Sequence, residues 1–148
     1  MIPNRIVLDT NVCLDLFIFR DPRWEDLHLA LRENRLQAVT RADCRNEWLH
    51  VLSYSHLRLD SSRREQASAE FDALITRMDA PPRTQALPLC KDTDDQKFLE
   101  LARDSHASAL ITKDKALLKL ARKTARAGLF LIAPPVSWTL CLAIGAQT

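Results

Sequence analysis

Ile6, Val7 and Leu8 run directly into Asp9, Thr10 and Asn11, and this stretch constrains the fold more than any other part of the chain. A short apolar run with no polar alternation, bounded by polar residues, predicts a strand buried on both faces, as at the centre of a parallel sheet. Asp9 then stands at the strand's carboxyl end, the edge of an open α/β sheet where ligands sit. Capping explains it equally well, because Asp9 or Thr10 could satisfy the free N–H groups of the helix that follows. Whether further acids come to the same edge separates the two readings.

A second stretch repeats the pattern: Ala109-Leu110-Ile111-Thr112 predicts another buried strand, which ends in Lys113 and Asp114. Leu36 to Val39 is predicted as strand two and Gln85 to Cys90 as strand three, with Pro88 marking a sheet edge because it cannot donate to a ladder. Leu129 to Ile132 is the fifth strand. Helices are predicted between them. A brief one spans Val12 to Phe19, with Asp15 off its apolar face, and another starts at Asp21-Pro22 and ends near Asn34. Three capping boxes, Thr40 with Asp43, Ser62 with Glu65 and Thr93 with Gln96, open helices from Arg41 to about His56, from Ser62 through Met78, and over Phe98, Leu99 and Ala102. In the first of these Cys44, Trp48 and Val51 form the apolar stripe; in the second Phe71, Leu74, Ile75 and Met78 do. The last helix carries Leu117, Leu118 and Ala121 on one side and Lys115, Lys119, Arg122, Lys123 and Arg126 on the other, until Gly128 stops it. A tail helix around Val136 to Trp138 packs on the sheet or on a partner. Strands alternating with helices imply an α/β fold of three layers, a parallel sheet with right-handed crossovers and helices on both faces.

Composition narrows the chemistry. With 148 residues, 47% apolar and 27% charged, the chain has material for one core, and residues 1–148 are expected to form a single domain. Gly128 and Gly145 are the only glycines, which excludes the glycine-rich loops that cradle phosphates. Cys13, Cys44, Cys90 and Cys141 form no Cys-x-x-Cys pair and read as core residues, and the histidines lack metal-ligand spacing. A net charge of +2 leaves any nucleic-acid affinity to local patches. No apolar run is long enough to span a bilayer and no leader-like segment comes before the first strand, so a cytoplasmic protein with no membrane partner is expected.

On this topology Asp9, the Asp94-Asp95 region and Asp114 leave the same edge of the sheet. Glu47, one turn beyond Asp43, projects beside the apolar stripe of a helix that starts there, and Arg41 and Arg45 either pair with acids or contact phosphate. Clustered carboxylates are costly unless a cation neutralises them. Oxygen-rich sites suit Mg²⁺ or Mn²⁺, and the matching chemistry is metal-assisted hydrolysis, which needs no serine, cysteine or histidine nucleophile.

Val7-Leu8-Asp9-Thr10-Asn11, a mid-chain Glu47, Asp95 followed by Phe98-Leu99 and Ala102, and Ile111-Thr112-Lys113-Asp114, in that order, resemble the PIN-domain ribonucleases over nearly the whole chain. Cys90 to Leu99 is similar to the bacterial branch formed by toxins of type II toxin–antitoxin pairs. The resemblance implies a five-stranded parallel sheet of order 3-2-1-4-5 and divalent-metal-dependent cleavage of single-stranded RNA, often by a homodimer inhibited by an antitoxin. It makes Asp9, Glu47, Asp95 and Asp114 the metal-binding, catalytic acids, with Asp92 and Asp94 as competitors for the place of Asp95. Asn11 and Thr112 would orient Asp9, the final acid or the substrate. Two other readings compete. A haloacid dehalogenase-type phosphatase also begins with an aspartate after a buried strand, but needs a second aspartate where this chain has Asn11. A domain on the same fold that binds RNA or protein without cutting is the other.

Overall fold

The computed structural model describes residues 2–146, and the side chains of Pro3 and of residues 143–146 lie outside the description. Five parallel strands form one sheet: β1 (Ile2–Leu8), β2 (Gln37–Thr40), β3 (Ile75–Arg77), β4 (Ala107–Ile111) and β5 (Leu131–Ala133), in the order β3-β2-β1-β4-β5. Val7 pairs with Val39 on one side and Leu110 on the other, so the opening strand is central, as its unbroken apolar run predicts.

Eight α-helices connect and cover the sheet among the described residues: α1 (Thr10–Phe17), α2 (Glu25–Arg32), α3 (Ala42–Leu52), α4 (Ser61–Leu74), α5 (Gln96–Asp104), α6 (Lys115–Leu118), α7 (Ala121–Arg126) and α8 (Thr139–Ala146). Alternation along β1 divides the core in two. Ile6 and Leu8 pack with Val12, Phe17, Trp48 and Phe71, while Val7 packs with Phe98, Leu99, Leu101 and Leu117 on the opposite face. Trp48 stacks on Phe71 with centroids 5.1 Å apart and meets Phe17 edge-on at 6.0 Å, fixing α3 against α1 and α4. In the tail, Trp138 and Cys141 are buried in the first of these cores, so α8 packs on the sheet.

Strand three is not where the sequence pattern puts it. The helix expected to run through Met78 ends at Leu74, and Ile75, Thr76 and Arg77 pair with Ala38, Val39 and Thr40. Ile75, assigned to a helical stripe, is buried against the sheet instead. The sheet edge is therefore formed by a different segment from the one containing Pro88. Residues 85–90 form no strand; the Gln96 side chain takes the Cys90 N–H at 2.7 Å and donates to the Pro88 carbonyl at 3.1 Å, doing for this segment what a ladder would have done.

The expected capping boxes do not form either. Asp60 caps α4 by accepting the Arg63 N–H at 2.7 Å, Asp92 caps the short 3₁₀ turn Thr93–Asp95, and Arg41 precedes α3 with no side-chain cap. Asp43 pairs with Arg41 instead, at 2.7 Å. Asp15, expected away from the packed face, is buried and pairs with Lys113 at 2.7 Å, tying α1 to the turn that carries Asp114.

Candidate functional site

The carboxyl ends of β1 and β4 lie side by side, joined by the Asp9 N–H donating to the Ile111 carbonyl at 3.0 Å. Each strand then breaks on an aspartate that caps the next helix. Asp9 Oδ1 accepts the Asn11 N–H at 3.4 Å, and Asp114 Oδ1 accepts the Ala116 N–H at 2.8 Å. Capping and placement at the site are thus the same act, since each cap leaves a second oxygen for other work.

Asp9 is 4% exposed and its Oδ2 accepts the hydroxyl of fully buried Thr112 at 2.6 Å. The same hydroxyl oxygen accepts the Asp114 N–H at 3.0 Å, so Thr112 orients both acids at once. Burial pushes the Asp9 carboxyl up, with the charges of Glu47 and Asp114 adding to it, against the hydrogen bonds from Thr112 and Asn11. Asn11 reaches Asp9 through its backbone, and its exposed side chain lines the cleft.

Glu47 arrives from α3. One oxygen accepts the Thr10 hydroxyl and the other the Lys97 ammonium, the latter at 2.8 Å. Asp95 comes from the 3₁₀ turn before α5 and Asp92 from its cap. Asp92, Asp95 and Asp114 each offer an oxygen, and the three oxygens lie within 4.8 Å of one another. Burial, the hydrogen bond to Asp114 and the charges of Asp9, Asp114 and Asp92 push the Asp95 carboxyl up to about 8. The same hydrogen bond holds Asp114 below the usual carboxylate range. Two ionised carboxylates at about 4 Å repel by roughly 4 kcal/mol at an effective dielectric of about 20. Asp95 and Asp114 avoid this by sharing a proton, and a divalent cation would replace it.

Asp9, Thr10, Asn11, Glu47, Val51, Asp92, Asp95 and Asp114 line one open cleft of about 220 Å³. The four acids singled out in the sequence therefore meet at one place. Of the competitors for the place of Asp95, Asp92 joins the trio, whereas Asp94 is exposed and its carbonyl binds Lys97 at 2.5 Å. Sequence reasoning missed Lys97 and Thr10: both meet Glu47 across long separations, and no local spacing marks them. Arg41 and Arg45 are committed elsewhere, to Asp43 and Glu100 and to Asp72.

A parallel α/β sheet whose carboxyl edge carries an oxygen-donor cleft of this kind defines a domain with a candidate site for a hard divalent cation. The family model described as PIN domain matches residues 5–116, and the chain belongs to that family, whose members are in general nucleases. No curated protein matches the chain. No helix among the described residues is long and apolar enough to cross a membrane.

Proposed function

We propose that the protein is a divalent-metal-dependent endoribonuclease that hydrolyses phosphodiester bonds of single-stranded RNA, with Asp9, Glu47, Asp95 and Asp114 as its catalytic acids. The observation that carries this reading is the meeting of those four acids and Asp92 in one cleft, three of them with oxygens close enough to share an ion. The donors are all carboxylate oxygens, the choice of Mg²⁺ or Mn²⁺, and the neighbouring carboxylates that raise the Asp95 carboxyl form an electronegative cluster suited to a cation. Asp92, Asp95 and Asp114 would hold the cation, with Asp9 facing it from β1. When bound, that ion would supply Lewis-acid stabilisation of charge on phosphorus and on the leaving oxygen and would acidify the attacking water. The chain's own part is orientation and proton storage. Thr112 fixes Asp9 and Asp114 in register, and the Asp95–Asp114 pair holds a proton that a bound cation would displace.

Charge distribution supports a polyanionic substrate. Beyond Asp114 the chain has no acid, and Lys115, Lys119, Arg122, Lys123 and Arg126 are its only cations there. All five are exposed, and among the described residues none enters an ion pair. They lie on α6, on α7 and in the turn between them, a segment that Asp114 opens, so a strand whose scissile phosphate sits in the cleft has a positive path leading away from it. The resemblance of Cys90 to Leu99 to the bacterial toxins extends the proposal to the toxin of a toxin–antitoxin pair, acting in the cytoplasm as a homodimer and restrained by an antitoxin.

The test is cleavage of a labelled single-stranded RNA by purified protein with Mg²⁺, Mn²⁺ or EDTA, alongside Asp9→Asn and Asp114→Asn. Metal-dependent cutting that both variants lose is the expected result. Cutting that persists in EDTA or in either variant overturns the assigned roles.

A further inference from the structure

Among the described residues, Lys97 is the one basic side chain that pairs with any of the five cleft acids. It stands on the first turn of α5, and its Nζ donates to Glu47 Oε1 at 2.8 Å and to the Asp94 carbonyl at 2.5 Å, with the Phe98 ring centroid 5.4 Å away. The side chain is 18% exposed, so the ammonium is held where water screens it little. Since the Thr10 hydroxyl takes the other oxygen of Glu47, both oxygens of that carboxylate are engaged. Among the described residues no basic side chain pairs with Asp92, Asp95 or Asp114. The acids are therefore not equivalent: Glu47 is neutralised by Lys97, Asp9 is held by the Thr112 hydroxyl, and Asp92, Asp95 and Asp114 form the oxygen trio.

We propose that Lys97 is the resident cation of the Glu47 half of the cleft, so that the site takes one divalent ion, at Asp92, Asp95 and Asp114, and not two. The proposal rests on the metal-dependent reading above and deepens it. A lysine ammonium is a compact point charge that can occupy, without dissociating, a position where a second ion would otherwise sit between carboxylates. It also ties α3 to the turn that carries Asp92 and Asp95, so Lys97 is a positioning residue as well as a charge. Removing it would leave Glu47 uncompensated beside Asp9 and open a second oxygen-donor position.

The experiment is a titration of the EDTA-stripped, dialysed full chain with Mn²⁺ alone, followed by calorimetry and by the electron paramagnetic resonance signal of free Mn²⁺. The wild-type protein is expected to bind one Mn²⁺ per chain and Lys97→Met two, while Lys97→Arg binds one. Combining Lys97→Met with Glu47→Gln is expected to return the count to one, which places the second ion on Glu47. Two ions in the wild-type protein, or one in a folded Lys97→Met variant, overturn the role of Lys97. Glu47→Gln in the wild-type background covers a Lys97→Met chain that does not fold; it should still bind one ion per chain, and a count of two or none overturns the proposal. No binding by the wild-type protein overturns the metal-dependent reading itself, a result distinct from a wrong stoichiometry.

Discussion

Asp95 and Asp114 share one proton, and this makes the site's response to pH predictable in sign. The Asp95 carboxyl ionises near its ordinary value of 3.8 in the unfolded chain and only at about 8 in the folded one. Between those values the folded state binds more protons, so this group's contribution to stability is complete below about pH 4 and lost as pH rises towards 8. The raised Asp9 carboxyl acts in the same direction. Asp114, held low, contributes oppositely: its share is present above pH 3.8 and is lost below it. Metal-free protein is therefore expected to melt at lower temperature as pH rises from 5 to 8, and Asp95→Asn to flatten the dependence; thermal scans in EDTA check this. Thr112→Val gives a second test. It keeps the side chain's shape but leaves the Asp9 carboxylate and the Asp114 N–H without their shared partner, at a cost of about 1–3 kcal/mol in denaturant unfolding. At this scale Asp9, Glu47 and Asp114 were legible because each ends a strand or sits beside an apolar stripe, whereas Asp95 was picked out by its spacing to Phe98 and Ala102 although residues 85–90 before it form no strand. The partners Lys97 and Thr10 were not, because their geometry exists only once α3, α5 and β1 are packed together.

At the level of elements, the basic row that runs from α6 to α7 is open to substitution. Leu117, Leu120 and Thr124 face the core, so the five basic positions can change without disturbing packing. Lys119→Gln and Lys123→Gln are expected to weaken binding of single-stranded RNA at low salt while leaving unfolding unchanged. Each should lower the steepness of the salt dependence by about 0.7 in a log–log plot of affinity measured with the cleavage-deficient Asp9→Asn protein. Equal slopes in variant and parent would remove this face from the RNA path. The same scale shows where sequence patterns mislead. Ile75 fits the helical stripe of Phe71 and Leu74, yet β2 presents an unpaired edge, and three ladder positions outweigh the continuation of α4. Gln85 to Cys90 reads as a strand by composition, but its backbone groups are met by Gln96 and Arg103, and Pro88 has no N–H to offer a neighbour.

For the whole molecule, five acids converge on one edge, and a cation that binds there only in the folded chain must stabilise it. Mn²⁺ at 100 times its dissociation constant is expected to raise stability by about 2.7 kcal/mol, reversed by EDTA and absent in an Asp95→Asn, Asp114→Asn double variant. A melting temperature indifferent to Mn²⁺ would count against any ion at the trio. The sequence by itself determined the α/β alternation, the central place of β1 and the delivery of Asp9 and Asp114 to one edge, since an apolar run ending in an acid encodes strand, burial and terminus locally. Tertiary structure alone decided which segment became β3, that Asp92 rather than Asp94 completes the trio, and that Glu47 meets Lys97. Those outcomes depend on distances between residues far apart in the chain, and such distances are set by packing across the sheet, which no local pattern records.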